Sequence, residues 1–103
     1  MIMTPYIYLF IREDLSPPQQ IIQTAHAVDE LNKTIKAGDK TNHMVLFSSK
    51  SEMDLEYTSM FLTSQGIHHK MFYEPDISSH TAIATEPLHG DKRKLFSKYK
   101  LKR

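Results

Sequence analysis

The sequence predicts an α/β domain, a four-stranded mixed sheet with helices on its faces in the order β-α-β-α-β-β-α. Three observations carry this. Tyr6-Ile7-Tyr8-Leu9-Phe10-Ile11 is an unbroken apolar run of β-prone residues, the pattern of a strand covered on both faces. Two helix-period segments with capping signals separate the first three strand-like runs, which favours parallel neighbours joined by right-handed crossovers. The link between the third and fourth strand-like runs is too short for a helix, so that pair should be antiparallel.

Each element has a local cause. Ser16 is a good N-cap, Pro17 suits the first helical position, and Gln19 follows Ser16 at capping-box spacing. The spacing of Ile21, Ala25, Val28, Leu31 and Ile35 predicts a helix from Pro17 to about Lys36, ended by Ala37-Gly38-Asp39 with Gly38 as a left-handed cap. His43-Met44-Val45-Leu46-Phe47 reads as a second interior strand. Ser49 and Glu52 repeat the capping-box pattern before a helix whose buried face would be Met53, Tyr57, Met60 and Phe61, stopped by Gly66. Residues 67–73 alternate as a more exposed strand would. Glu74-Pro75-Asp76-Ile77-Ser78-Ser79 is a turn, and residues 80–85 form a fourth strand of small side chains ended by Pro87. A last helix over about residues 91–99 would dock Leu95, Phe96 and Tyr99.

At 103 residues the chain reads as one domain, 1–103, with one core. It has no apolar run approaching the roughly 18 residues of a membrane span. The first residues hold no basic stretch before an apolar one, which argues against a signal peptide. The absence of cysteine fits a cytoplasmic protein and rules out disulfide and thiolate chemistry. The net charge of +1 conceals a basic segment at 91–103. Lys92, Arg93, Lys94, Lys98, Lys100, Lys102 and Arg103 are seven of the 13 basic residues, and residues 1–91 carry six basic against twelve acidic side chains. Such a segment is suited to the phosphates of tRNA or another RNA, and equally to solvation of a docked chain end.

The residues with chemical capacity cluster on the first helix. Gln19, Gln23, His26 and Glu30 share one stripe beside the apolar face. This is either a solvated flank or a polar site at the mouth of the sheet, where Gln23 would bond a carbonyl or phosphate and His26 would orient water or donate a proton. Asp14 and Asp76 sit in turns and suit either turn duty or the orientation of a histidine. The six histidines show no metal-ligand spacing: His68 and His69 are adjacent and should point to opposite faces, and His80 and His89 have no close partner in sequence. No metal or other cofactor is expected from these patterns, and no glycine-rich phosphate loop or nucleophile elbow occurs.

Arg12-Glu13-Asp14-Leu15 after the first strand, Gln23-Thr24-Ala25-His26-Ala27 on the helix, Asp76 in the turn, and Thr81-Ala82-Ile83-Ala84-Thr85-Glu86-Pro87 on the last strand occur in a specific order. In that order the chain resembles the type II peptidyl-tRNA hydrolase family over about residues 6–88. The resemblance implies that family's mixed four-stranded fold and hydrolysis of the ester linking a peptide to tRNA. The site would draw on Gln19, Gln23, His26, Asp76 and Thr81 and would need no cofactor. The chain departs from the family in the loop before the helix, where Ser16-Pro17-Pro18-Gln19 replaces a longer glycine- and lysine-rich segment and lacks the lysine regarded as catalytic. A neutral amide is a weaker partner than an ammonium for developing negative charge. The alternative function is therefore a catalytically inactive module on the same fold that binds RNA or a protein partner.

Overall fold

The computed structural model describes residues 5–36, 38–39 and 41–102. In chain order it holds β1 (Tyr6–Arg12), α1 (Pro17–Asn32), β2 (His43–Ser49), α2 (Glu52–Ser64), β3 (His69–Glu74), a 3-10 turn (Pro75–Ile77), β4 (Ser79–Thr85) and a terminal 3-10 helix (Gly90–Phe96). The strands form one mixed sheet in the order β2-β1-β4-β3. β1 runs parallel to β2, with Leu9 opposite Leu46, while β4 is antiparallel to both β1 and β3. The expected α/β class, the central place of β1 and the antiparallel β3–β4 pair are all present.

The two helices lie on opposite faces of the sheet. Ile7, Leu9 and Ile11 pack with Ala27 and Leu31 of α1, and Tyr8, Phe10, Phe47 and Ile83 pack with Leu55 and Leu62 of α2. Phe96 from the terminal 3-10 helix completes the second layer. It stacks on Tyr8 with ring centroids 3.8 Å apart, and Tyr99 meets Phe10 edge-on at 4.9 Å. The segment expected as a last helix does dock its apolar residues, but as a 3-10 helix of seven residues, a length that gives little drive to form α-helix.

β2 is an edge strand, not an interior one. Its free edge is covered by the chain end: Ser48 N–H donates to the Lys100 carbonyl at 2.9 Å, and Lys102 N–H donates to the Leu46 carbonyl at 2.8 Å. Edge strands left bare invite pairing with other chains, and this return of the backbone removes most of that hazard.

Both helix faces differ from the periodicity. The buried residues of α1 are Gln23, Ala27 and Leu31; of the expected face, Leu31 is buried and Val28 and Ile35 pack at the margin of the core, whereas Ile21 is 74% exposed and Ala25 is exposed. Ser16 does cap α1, accepting from Gln19 N–H. The helix lies over β4, β3 and β1, so its phase places Gln23 against β4 and leaves Ile21 beside uncovered β2. The helix stops at Asn32 with Lys33 still right-handed, well short of Gly38. Thr34 Oγ1 bonds back to the Leu31 carbonyl and sits 2.8 Å from His68 Nε2, a local alternative that competes with another helical turn. Ala37 lies outside the described residues.

In α2 the buried stripe is Leu55, Thr58 and Leu62, with Phe61 half-buried, and Met53, Tyr57 and Met60 are more than 60% exposed. The helix carries two apolar stripes, and periodicity alone does not choose between them. The cap decides. Ser49 is buried in β2, so the capping pair is Ser51 with Asp54: Ser51 Oγ accepts from Asp54 N–H, and Asp54 accepts from Lys50 N–H. Gly66, at φ +70°, stops the chain as expected.

Candidate functional site

β1 and β3 end, β4 begins, and α1 and α2 start at one end of the sheet, so polar side chains from five elements converge there. This is the end at which open α/β sheets keep their ligands. An irregularity in β4 then divides those side chains between the two faces. Phe72 pairs with Ala82 and Tyr73 with His80, which leaves Thr81 as a bulged residue without a partner across the β3–β4 ladder. A bulge re-aims side chains by adding one residue to the alternation. Thr81 therefore turns toward α1 and His80 toward α2.

On the α1 face the hub is Gln23, 1% exposed and fully bonded. Its Nε2 donates to Gln19 Oε1 and to Glu74 Oε2, each at 3.0 Å, and its Oε1 accepts from Thr81 Oγ1 at 2.9 Å. A buried amide with every group satisfied is stable where an orphaned one would cost about 1–3 kcal/mol. Gln19 and Glu74 form the open rim. The Glu74 carboxyl is held below the usual carboxylate range, chiefly by the hydrogen bond from Gln23, then by Asp76 N–H at 3.2 Å, with a charge contribution from His26. His26 is exposed on the next turn of α1, with its ring stacked on Phe72 at 4.8 Å.

Of the residues expected to act together, the structure gathers Gln19, Gln23 and Thr81 in direct contact and places His26 at their border. Asp76 sits in the exposed 3-10 turn, bonding Glu74 through its backbone. Glu74 is the residue that sequence reasoning missed. In the sequence it falls at the start of the predicted turn, and its position two residues before Asp76 is the available signal.

On the α2 face, Arg12 pairs with Asp14 at 2.8 Å and donates to Ser79 Oγ and to the His80 carbonyl at 3.1 Å. Asp14 is held below its ordinary range first by the hydrogen bond from Arg12. Glu52, at the start of α2, accepts from His80 N–H at 2.8 Å. His80 Nδ1 is fully buried and has no hydrogen-bond partner among the described residues; it faces Glu52 Oε2 at 3.4 Å, and Tyr73 meets the ring edge-on at 5.2 Å. Sequence spacing gave His80 no ligand partner, whereas the fold sets it beside Glu52 and Glu56, with one donor atom from each of the three within 4.8 Å of the others. His68 and His69 do diverge, His68 reaching Thr34 beside α1 and His69 reaching Ser59 of α2 at 2.7 Å.

Because Asp14 and Glu74 are more acidic in the folded chain than in an unfolded one, the unfolded chain binds more protons in acid. Their contribution to stability is therefore fully present above the ordinary carboxylate pKa of about 4 and is lost as pH falls through their depressed values. Thermal unfolding followed by circular dichroism should show a midpoint that falls below about pH 4. That fall should be shallower in an Asp14→Asn, Glu74→Gln variant.

The basic segment is split by the fold. Lys92, Lys94, Lys98 and Lys100 are exposed; Arg93 lies over the Tyr6 ring at 3.9 Å and Lys98 over Phe61 at 3.7 Å. Lys102 borders an apolar groove of about 490 Å³ between α1 and β2 that also touches Ile11, Ile21 and Leu46. That groove has little titratable chemistry and is separate from both polar clusters. Arg103 lies outside the described residues.

No protein-family model matches the chain, and no curated protein matches it. Among solved structures it is similar to Atu0240, a protein of unknown function from Agrobacterium tumefaciens. The alignment covers 99% of this chain and 100% of that one, with a TM-score of 0.65 and 15% identity. At that identity the likeness shows the small α/β fold alone. Among the described residues, no helix is long and apolar enough to cross a membrane.

Proposed function

We propose that the protein is a peptidyl-tRNA hydrolase-like enzyme of the cytoplasm that hydrolyses the ester between a peptide and tRNA at the α1 face of the strand ends. The observation that carries this reading is the convergence on Gln23 of Gln19, Glu74 and Thr81, with an ionised carboxylate and an imidazole left on the open rim. Gln23 and Thr81 are buried and act as positioning residues. The catalytic roles fall to His26 and Glu74. Water attacks the ester carbonyl carbon while His26 takes its proton and Glu74 supports the resulting positive charge. The bond to the ribose oxygen then breaks, and His26 returns the proton to that oxygen. Gln19 keeps its amide N–H groups free for the developing oxyanion. As neutral donors they stabilise it less than an ammonium would, so turnover should be slow. Lys92, Lys94 and Lys100 supply exposed charge for tRNA phosphates.

Purified protein should release N-blocked amino acid from an aminoacyl-tRNA, and His26→Ala should lower that rate by about 10²–10⁴-fold, the usual contribution of a general acid–base. Lys92→Gln with Lys94→Gln should raise KM and flatten its salt dependence without altering kcat. Unchanged turnover in the His26 variant removes that residue from the mechanism. A folded sample with no turnover leaves a binding module on this fold, a reading favoured by the burial of Gln23 and Thr81 and by the missing lysine.

A further inference from the structure

We infer that Glu52, Glu56 and His80 form a divalent transition-metal site, suited to Zn²⁺, on the α2 face of the sheet. This site is separate from the ester-hydrolysis site and independent of that reading. The geometry of its two inner ligands supports it. His80 Nδ1 and Glu52 Oε2 are 3.4 Å apart and face each other without a hydrogen bond, and Nδ1 is otherwise unpartnered and sealed from solvent. An ion about 2.1 Å from each atom would subtend an angle of about 110° between them, the tetrahedral value expected of Zn²⁺ with nitrogen and oxygen ligands. Glu56, one helical turn after Glu52 on the same face, brings its carboxylate within 4.8 Å of both. Its side chain is exposed, so a rotamer change suffices to close the third bond.

The surroundings hold the ligands in place. Arg12 donates to the His80 carbonyl, Glu52 accepts from His80 N–H, and Tyr73 braces the ring, so two ligands are oriented before any ion arrives. Arg12 is a neighbouring charge that would oppose a cation, and it is engaged by Asp14. Three protein ligands leave a fourth position for water. That is the arrangement of zinc sites that bind or activate a ligand, in contrast to closed structural ones.

The test is titration of the full chain with Zn²⁺ by calorimetry and with Co²⁺ by visible absorption, beside His80→Ala and Glu56→Gln. Glu56→Gln alters an exposed side chain and preserves the fold, and circular dichroism checks both variants. The expected result is one ion per chain, four-coordinate Co²⁺ absorption, and at least tenfold weaker binding in each variant. Absence of binding in the parent chain, or binding that survives either substitution at full affinity, overturns the assignment.

Discussion

Phe96→Ala should lower the unfolding free energy by about 3–5 kcal/mol, the usual cost of truncating a buried aromatic to alanine. Phe96 is 3% exposed, stacks on Tyr8 at 3.8 Å and also meets Phe10 and Phe47. Truncation would open a cavity in the middle of the α2-side layer and loosen the chain end that covers the β2 edge. A domain of this size has about 5–15 kcal/mol in total, so the loss is a large share of it. Urea unfolding should show a lower midpoint with an unchanged slope. Tyr57→Ala is the control: Tyr57 is 62% exposed, and its loss should cost no more than about 0.5 kcal/mol. Equal midpoints for Phe96→Ala and the parent would mean that the tail is not part of the core. The same packing makes deletion of residues 92–103 a poor test of RNA binding, because it removes core with charge.

Gln23→Leu should cost about 2–3 kcal/mol, chiefly because the Thr81 hydroxyl would be buried with no acceptor. Glu74 is near the rim and can recover water, so its loss contributes less. Adding Thr81→Val should restore part of the stability, since replacing both members of a buried hydrogen bond with apolar groups of similar shape is far cheaper than replacing one. A double-mutant cycle by denaturation measures this coupling. Simple additivity of the two changes would show that the Gln23–Thr81 hydrogen bond contributes nothing to the fold. If ester hydrolysis occurs at this face, Gln23→Leu should also slow it, because Gln23 holds the Glu74 carboxylate in place.

How far the site was legible follows from the range of the interactions. The stripe Gln19, Gln23, His26 is visible because helical periodicity is local, and Thr81 was reached through the ordered motifs. Glu74 was not singled out, because its role depends on a hydrogen bond to a residue 51 positions away. Sequence spacing offers His80 no ligand partner, because its neighbours Glu52 and Glu56 come from a helix 24–28 positions earlier.

By itself the sequence determined what short-range forces decide: the buried central strand β1, the Ser16 cap and Pro17 start of α1, the Gly66 stop, the β3–β4 turn, and a terminal segment with apolar residues to dock. Only the tertiary structure decided which stripe of each helix faces inward, that β2 is an edge closed by the chain end, and that a bulge at Thr81 sends it and His80 to opposite faces. Those outcomes depend on how a whole layer packs. The α2 helix offers two apolar stripes, and α1 turns Gln23 inward while Ile21 stays exposed; in both the choice is made by the shape of the opposing sheet and by the polar groups that must find partners there.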